Sequence, residues 1–384
     1  MTITFDARQL EKLKQRYLEG GIDRRSFLGI IGLAGVAAGV AGGPLRAFAQ
    51  AANVSELKYH GWGGAVQEAL RKTAFDAYEK ASGVKVVEGT FGLEEEILTQ
   101  ARVGREGDYH IINSAGIAWY KRWVDAGFGV VLNEANIPNL QHVMTALIEP
   151  FRKVTPEGLS AVPFSYGNTA IAYNKKYIPQ EEAEAKREML LIDPALKGKL
   201  SGHNDFQTRM WAAALQTKQD PNNMQDLDAI WEKIRENRAL VKKYWGSGAE
   251  SVELLANEEV YAADIWSGRA AGLMERNPDI GYVEYSTGYC WASDLLVVKG
   301  APLEACEQFL NFILDPEVMI VVAEAQLYPP PMDPTKVELS DKIKSLPNFD
   351  PTGTLSHLAF SDPAYWTEHE RDWKQMYSRI ERGF

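Results

Sequence analysis

Hydrophobic and polar positions repeat with two different periods between residues 55 and 126. Short apolar or alternating runs predict three strands, at 55–62, 84–91 and 109–113. Apolar residues at helical spacing predict three helices that follow these strands, at 65–82, 93–103 and 117–126. Strands that alternate with helices are typical of a sheet covered by helices on both faces, so this pattern predicts an α/β fold.

The pattern changes further along the chain. Residues 159–174 hold two β-like runs separated at 165–168, and the composition from there to about 255 predicts helices. A second group of strands and helices is predicted after this stretch, at 259–266, 280–285, 289–298, 303–314 and 318–325. Residues 339–384 predict loops and a terminal helix.

This order of elements predicts two lobes, with the chain crossing between them near 160–170 and again near 285–293. We assign the domains as a first lobe at 50–165 and 290–335, a second lobe at 166–289, and a C-terminal helical extension at 336–384 that packs on the lobes. Each lobe is expected to have its own sheet flanked by helices. Two crossings form a hinge, and the gap beside a hinge is where a ligand would be held.

The amino-terminal segment predicts export. The apolar run at 28–43 is shorter than the roughly 20 residues that a membrane-spanning helix needs. Ala47-Phe48-Ala49 follows it with the A-x-A form of a signal cleavage site. Arg24-Arg25 with Phe27-Leu28 resembles the twin-arginine signal, so residues 1–49 are predicted to be a signal peptide that directs the protein to the periplasm. The alternative is an uncleaved N-terminal anchor.

Composition narrows the function classes. The chain has 41 basic and 52 acidic residues and a net charge of −11, which argues against nucleic acid or anionic lipid as partners. Neither H-x-x-x-H nor C-x-x-C occurs, so no metal site or cofactor is predicted. The hydrolase motifs G-x-S-x-G and H-E-x-x-H are also missing, so an exported hydrolase is the weaker interpretation. Cys290 and Cys306 are either bridged or buried thiols.

Several segments, in order, carry a family resemblance: Trp62-Gly63-Gly64 after the first strand, PFSYGNTAIAYNKK, EEVYAADIWSGRA, WASDLLVVKGAPLEACEQFLNFILDPEVM and LYPPP. Over about 55–335 the chain resembles family 1 extracellular solute-binding proteins, and within them the spermidine/putrescine-binding group of ABC importers. The resemblance implies a monomeric two-lobe type II periplasmic binding protein. Such a protein closes on a polyamine or an ω-amino acid and delivers it to a membrane permease without catalysis. The alternative is a receptor for another small ligand, a zwitterion, an anion or a metal ion, on the same fold.

The resemblance also implies a site. In this family aromatic side chains line the cleft. A cation–π contact contributes about 0.5–2 kcal/mol when water is excluded from it. Carried over by motif, the cleft aromatics are Trp62, Trp266 and Trp291. Polar candidates lie at a helix start and at the inferred crossing, namely Ser114, Tyr166 and Asn168.

Two positions depart from the family pattern. The family has a carboxylate as the last residue of Trp-x-Asp, where this chain has Ser293 with Asp294 one place later, on the opposite face of a strand. At the position of the family's second carboxylate this chain has Arg209, which would repel an ammonium group and bind a carboxylate. If the alignment with the family pattern is shifted, Asp205 takes the role of the carboxylate and Arg209 is a surface cation. The first register predicts a zwitterionic ligand such as an ω-amino acid.

Overall fold

The computed structural model describes residues 54–356 and 358–383. The predicted signal peptide at 1–49, with its arginine pair and cleavage site, lies outside these residues. Within the described ranges, no helix has both the length and the apolar character that crossing a bilayer requires.

Within the described residues, nine strands form one hydrogen-bonded sheet in the order β2-β1-β3-β9-β4-β7-β5-β6, with β8 paired to β4. The strands are β1 (Glu56–Gly61), β2 (Lys85–Thr90), β3 (Ile111–Ser114), β4 (Ala161–Asn174), β5 (Leu200–His203), β6 (Val241–Trp245), β7 (Ala262–Trp266), β8 (Ile280–Val283) and β9 (Tyr289–Val297).

Helices cover both faces of this sheet. The first helical segment runs from α1 through one π-helical turn, Arg71–Phe75, into α2. The α-helices are α1 (Gly64–Leu70), α2 (Asp76–Ser82), α3 (Glu94–Val103), α4 (Ile117–Asp125), α5 (Thr145–Val154), α6 (Gln180–Lys186), α7 (Phe206–Gln216), α8 (Leu227–Leu240), α9 (Gly248–Ala256), α10 (Ser267–Met274), α11 (Leu303–Ile313), α12 (Pro316–Gln326), α13 (Asp341–Lys344) and α14 (Pro363–Glu381). Short 3-10 turns lie at Glu134–Asn136, Pro138–His142, Arg187–Ile192 and Pro194–Leu196.

The first lobe has the predicted alternation of strands and helices. β1 pairs in parallel with β2 and β3, and β3 pairs antiparallel with β9. Its hydrophobic core contains Leu57, Phe75, Trp123, Leu296 and Phe309, which come from strands and helices on both sides of the crossing. The strands and helices predicted between residues 55 and 126 are confirmed, with bounds shifted by one or two residues.

The second lobe differs from its prediction. β5 pairs in parallel with β6 and β7, yet β5 and β6 fall in the stretch predicted to be helical. That part of the prediction is wrong because β5 has only four residues and β6 carries two lysines in five, so neither shows a clear strand period. Separate hydrophobic clusters around Trp211 and Trp245 form the core of this lobe.

Strand β4 joins the two lobes. It is 14 residues long and buried throughout, and it pairs with β7 along one edge and with β9 and then β8 along the other. The predicted break at 165–168 is wrong, because Ser-Tyr-Gly-Asn resembles a turn in composition but is hydrogen-bonded to β9. The two expected sheets are therefore continuous through β4 and β9. The predicted lobe boundaries fall inside β4 and at the start of β9.

The C-terminal extension contacts both lobes. Trp366, Trp373 and Tyr377 on α14 belong to the core of the second lobe, whereas Ile343 on α13 belongs to the core of the first. Glu370 on α14 also forms an ion pair with Arg122 on α4. The extension thus bridges the two halves of the molecule.

The two cysteines lie where the sequence predicts them, Cys290 on β9 and Cys306 on α11. Both are buried free thiols, so the disulfide alternative is wrong.

Candidate ligand-binding cleft

Trp62 lies directly after β1, at the start of the first helical segment. Its ring packs edge-on against Phe91, with ring centroids 4.6 Å apart, and the side chain is half-buried. Gly63 and Gly64 follow with φ of 63° and 60°, a left-handed conformation that favours glycine. Two residues without side chains therefore follow Trp62 at this end of the first lobe.

Trp291 lies on β9, in the strand pair that connects the lobes. It is opposite Gly167 of β4, and two indole carbons lie 3.0 Å from the point where a Gly167 side chain would begin. Glycine at 167 therefore makes room for the ring. The indole Nε1 is buried and has no hydrogen-bond partner among the described residues, and the ring lies 5.2 Å from that of Tyr328.

Trp266 lies at the end of β7 in the second lobe, where the strand passes into α10. It is half-buried and makes edge-on contacts with Trp245 and His203, at centroid distances of 5.2 and 5.3 Å. Burial lowers the pKa of His203 to about 4, so this ring is neutral at ordinary pH. Tyr328 packs over Gly268, two residues after Trp266.

Ser293 and Asp294 point to opposite faces of β9, because side chains alternate along a strand. Ser293 shares the face of Trp291, and its hydroxyl donates to Asn113 Oδ1 at 2.7 Å. Asn113 Nδ2 in turn donates to the Tyr59 hydroxyl at 3.0 Å. Ser293 is therefore part of a polar chain on the tryptophan side of the strand.

Asp294 and Ser114 belong to a buried acidic cluster on the other face. Asp294 Oδ1 accepts from the Gly116 N–H at 3.1 Å, and Ser114 donates to Glu94 Oε1 at 2.5 Å. Burial raises the pKa of Glu94 to about 7 and raises the pKa of Asp294 well above its ordinary value, with the Glu94 charge adding to the second shift. Asp294 has no exposed surface, and contact of either residue with a ligand stays a prediction.

Tyr166 and Asn168 also face away from Trp291 by the alternation along β4. The Tyr166 hydroxyl accepts from the Asp350 N–H at 3.1 Å, and Asn168 Oδ1 accepts from the Tyr282 hydroxyl. Both side chains are buried against neighbouring segments. Their predicted contact with a solute is untested.

Asp205 and Arg209 lie at the start of α7. Asp205 caps this helix, since its Oδ2 accepts from the Thr208 N–H at 2.8 Å and from the Thr208 hydroxyl at 2.9 Å. Arg209 is 3% exposed and forms an ion pair with Asp264, which is 0% exposed. The surface-cation alternative for Arg209 is therefore wrong, because the side chain is buried and paired inside the second lobe.

Arg269 is a candidate cleft residue that the sequence prediction does not include. It lies on α10 three residues after Trp266, and its Nη2 is 3.9 Å from the point where a Gly64 side chain would begin. Its place in the EEVYAADIWSGRA segment, close to Trp266, was the available signal. Tyr328 was missed as well, although it lies in the LYPPP segment that carries the resemblance.

A concave region lies away from these aromatic residues, between α3, α4 and α14. It has a volume of about 440 Å³, and its lining includes Glu95, Arg122, Glu370 and Lys374, which pair with one another. Among the residues that the structure describes, no group of three or more His, Cys, Asp or Glu could hold a metal ion.

Comparison with known proteins identifies the family. The family model described as bacterial extracellular solute-binding protein matches residues 73–351. Putrescine-binding periplasmic protein SpuD of Pseudomonas aeruginosa is 21% identical over 361 residues, covering 89% of this chain and 96% of SpuD. Putrescine-binding periplasmic protein PotF of Escherichia coli is 23% identical, covering 78% of this chain and 86% of PotF.

Solved structures share the fold. A putative spermidine/putrescine ABC transporter protein from Listeria monocytogenes superposes with a TM-score of 0.72 at 21% identity, over 85% of this chain and 99% of that one. MotA of A. tumefaciens, in complex with glucopine, gives the same TM-score, identity and coverage. The predicted two-lobe fold of type II periplasmic binding proteins is confirmed. The match of the family model over most of the chain shows that this protein belongs to the bacterial extracellular solute-binding protein family.

Proposed function

We propose that this protein is the substrate-binding component of an ABC importer. It captures a small amine-bearing solute, a polyamine such as putrescine or spermidine or an ω-amino acid, in the gap between the lobes and delivers it to a membrane permease. The names of the relatives support this class of solute, since SpuD and PotF are putrescine-binding proteins.

The observation that carries the proposal is the approach of Arg269 on the second lobe to Gly64 on the first, with candidate aromatic side chains on both lobes beside it. Trp62 comes from the first lobe, Trp266 from the second and Trp291 from the connecting strands, and Tyr328 contacts Trp291 and α10. Flat aromatic faces attract ammonium groups and pack against methylenes. The indole N–H of Trp291, which has no partner among the described residues, is proposed to donate to an acceptor on the solute.

The connecting strands provide the means of closure. The lobes are joined through β4 and β9, and a hinge of a few residues is enough for one lobe to rotate onto a ligand held by the other. The two lobes already approach each other at Arg269 and Gly64. Binding and release by this movement require no covalent step, so the protein is proposed to have no catalytic activity.

The proposed place of action is the periplasm, with export by the twin-arginine route and a monomeric mature protein. Replacing Arg24 and Arg25 by lysines should retain the precursor inside the cytoplasm, as judged by cell fractionation. Accumulation of the double variant in the periplasm would exclude this route. A solution scattering mass equal to two chains would exclude the monomer.

The binding function is tested with a panel of polyamines, amino acids and organic acids. A true ligand at 100 times its Kd should stabilise the protein by about 2.7 kcal/mol, which raises the thermal unfolding midpoint. The same ligand should reduce the radius of gyration measured by small-angle scattering. Trp62→Leu should weaken binding, whereas Trp119→Leu, a half-buried tryptophan on α4 outside the cleft, is the matched control. A panel without any hit, or chemical conversion of a solute, would overturn the proposal.

A further inference from the structure

Arg269 is a cation that lies between the two lobes. It belongs to α10 of the second lobe, and its Nη2 approaches Gly64 at the start of α1 in the first lobe. On its own lobe, Nε lies 2.8 Å from the point where a Gly248 side chain would begin, at the start of α9. Glycine at both positions leaves space for the guanidinium group.

This guanidinium lacks a counter-ion in the part of the chain that the structure describes. Its Nε is buried there without a hydrogen-bond partner. Three other shielded arginines do have carboxylate partners: Arg71 pairs with Glu79 at 2.6 Å, Arg122 with Glu370, and Arg209 with Asp264. Arg269 is half-buried, and its Nε is removed from water without a partner among the described residues. Burying a donor without a partner costs free energy, so this guanidinium indicates a position that a ligand fills.

The surroundings of Arg269 suit an anionic group with an apolar body. Trp266 precedes it by three residues, and Tyr328 packs over the neighbouring Gly268. Trp291 contacts Tyr328 and has a second buried donor without a partner, its indole N–H. Two unpaired donors, one of them charged, call for acceptor oxygens on the ligand.

The carboxylates that would hold an ammonium group are engaged or face elsewhere. Asp264 is neutralised by Arg209 and accepts from the His203 N–H at 2.6 Å. Asp205 caps α7, and Asp294 is fully buried on the face of β9 opposite Trp291. A ligand with ammonium groups at both ends would therefore place one of them near an uncompensated cation.

We infer that Arg269 binds a carboxylate of the solute, so that the ligand is a small carboxylic acid or amino acid rather than a polyamine. This inference rests on the proposed role as the substrate-binding component of an importer, and it replaces the amine-bearing class of solute named there with solutes that carry a carboxylate. The planar guanidinium is suited to bidentate pairing with a carboxylate, and the tryptophans pack against the rest of the molecule. The indole N–H of Trp291 provides a further donor to the acidic end.

The test uses three compounds with the same four-carbon skeleton: putrescine with two amines, 4-aminobutanoate with one amine and one carboxylate, and succinate with two carboxylates. Calorimetric titration of the full-length mature protein should give tighter binding of a carboxylate-bearing compound than of putrescine. Arg269→Gln should weaken that binding on the order of 100-fold, as expected for loss of a charged bidentate pair. Arg269→Asp should shift the preference toward putrescine. Arg276→Gln, an exposed arginine just after α10, should leave affinity unchanged.

Solute retained by the freshly purified protein is identified by mass spectrometry as a second readout, which does not depend on any variant being folded. A retained carboxylic acid supports the inference. Lobe closure on putrescine with no response to either acid, or a retained ligand without a carboxylate, would overturn the inference and leave the proposed function intact. No bound or retained solute of any kind would instead refute the proposed function, and the inference with it.

Discussion

The buried ion pair between Arg209 and Asp264 leads to a prediction that separates a structural role from a ligand-binding role. Arg209 is 3% exposed and Asp264 is 0% exposed, so neither charge is solvated by water. Arg209 Nη1 also donates to Asn237 Oδ1 at 3.4 Å, and its guanidinium lies 5.8 Å from the Tyr244 ring centroid. All these partners belong to the second lobe.

Replacing Arg209 by methionine fills a similar volume but leaves the Asp264 carboxylate buried without a counter-ion. Removing one partner of a buried pair typically costs 3–5 kcal/mol, so we expect the free energy of unfolding to fall by about that amount. Adding Asp264→Asn removes the uncompensated charge and keeps an oxygen that accepts from the His203 N–H. The double variant should therefore be at least about 2 kcal/mol more stable than Arg209→Met alone.

Urea unfolding followed by circular dichroism measures these differences by linear extrapolation. Arg235→Met, at an exposed position on α8, is the control and should change stability by less than about 0.5 kcal/mol. Below the unfolding transition, Arg209→Met should bind solute with unchanged affinity. A stability loss under about 1 kcal/mol together with a strong loss of affinity would refute the structural role and favour Arg209 as a ligand-binding group.

Three further predictions concern stability. Burial raises the pKa of Glu94 to about 7 from an ordinary value of 4.5, so between these pH values the folded state holds a proton that the unfolded chain has lost. The free energy of unfolding should therefore fall as pH rises from about 4.5 to 7, by on the order of 3 kcal/mol. Glu94→Gln should flatten this slope in urea titrations at several pH values. Asp205→Ala should lower the free energy of unfolding by about 1 kcal/mol through loss of the α7 cap, whereas Asp205→Asn should retain most of that stability. Equal effects of both changes in chemical denaturation would contradict this. Gly116→Ala should lower the free energy of unfolding by about 1–3 kcal/mol or more, since φ is 83° and the added carbon would lie 2.7 Å from the Ala292 carbonyl oxygen. An unchanged thermal unfolding midpoint would show that the start of α4 is placed differently.

The sequence predicts the first lobe well because its local signals agree with its tertiary structure. The strands there are short and show either an apolar run or alternating burial, the helices have apolar faces, and Gly83 ends α2 in a left-handed conformation. In the second lobe, strand β6 has two lysines in five residues, and its identity depends on pairing with β5. Pairing of this kind is not encoded in the local pattern.

The candidate site could be predicted only in part. The three tryptophans could be proposed from the sequence because they lie in segments that carry the family resemblance, and their contact with a ligand stays a prediction. Arg269 lies in one of the same segments, but its importance comes from its approach to Gly64 on the other lobe, which sequence spacing does not show. Arg209 is predicted to contact the ligand because the family register places it at a carboxylate position. Its partner Asp264 is distant in sequence, so the pairing does not show in the local pattern.

The position of Trp291 on a strand shared by both halves links transport to mechanics. Its indole is attached to the strand pair that joins the lobes, so a rotation of one lobe against the other would displace the ring with respect to at least one of them. Under the proposed function, a solute held on that ring would lose part of its contact surface when the lobes separate. Opening of the lobes would then weaken binding and favour release to the permease.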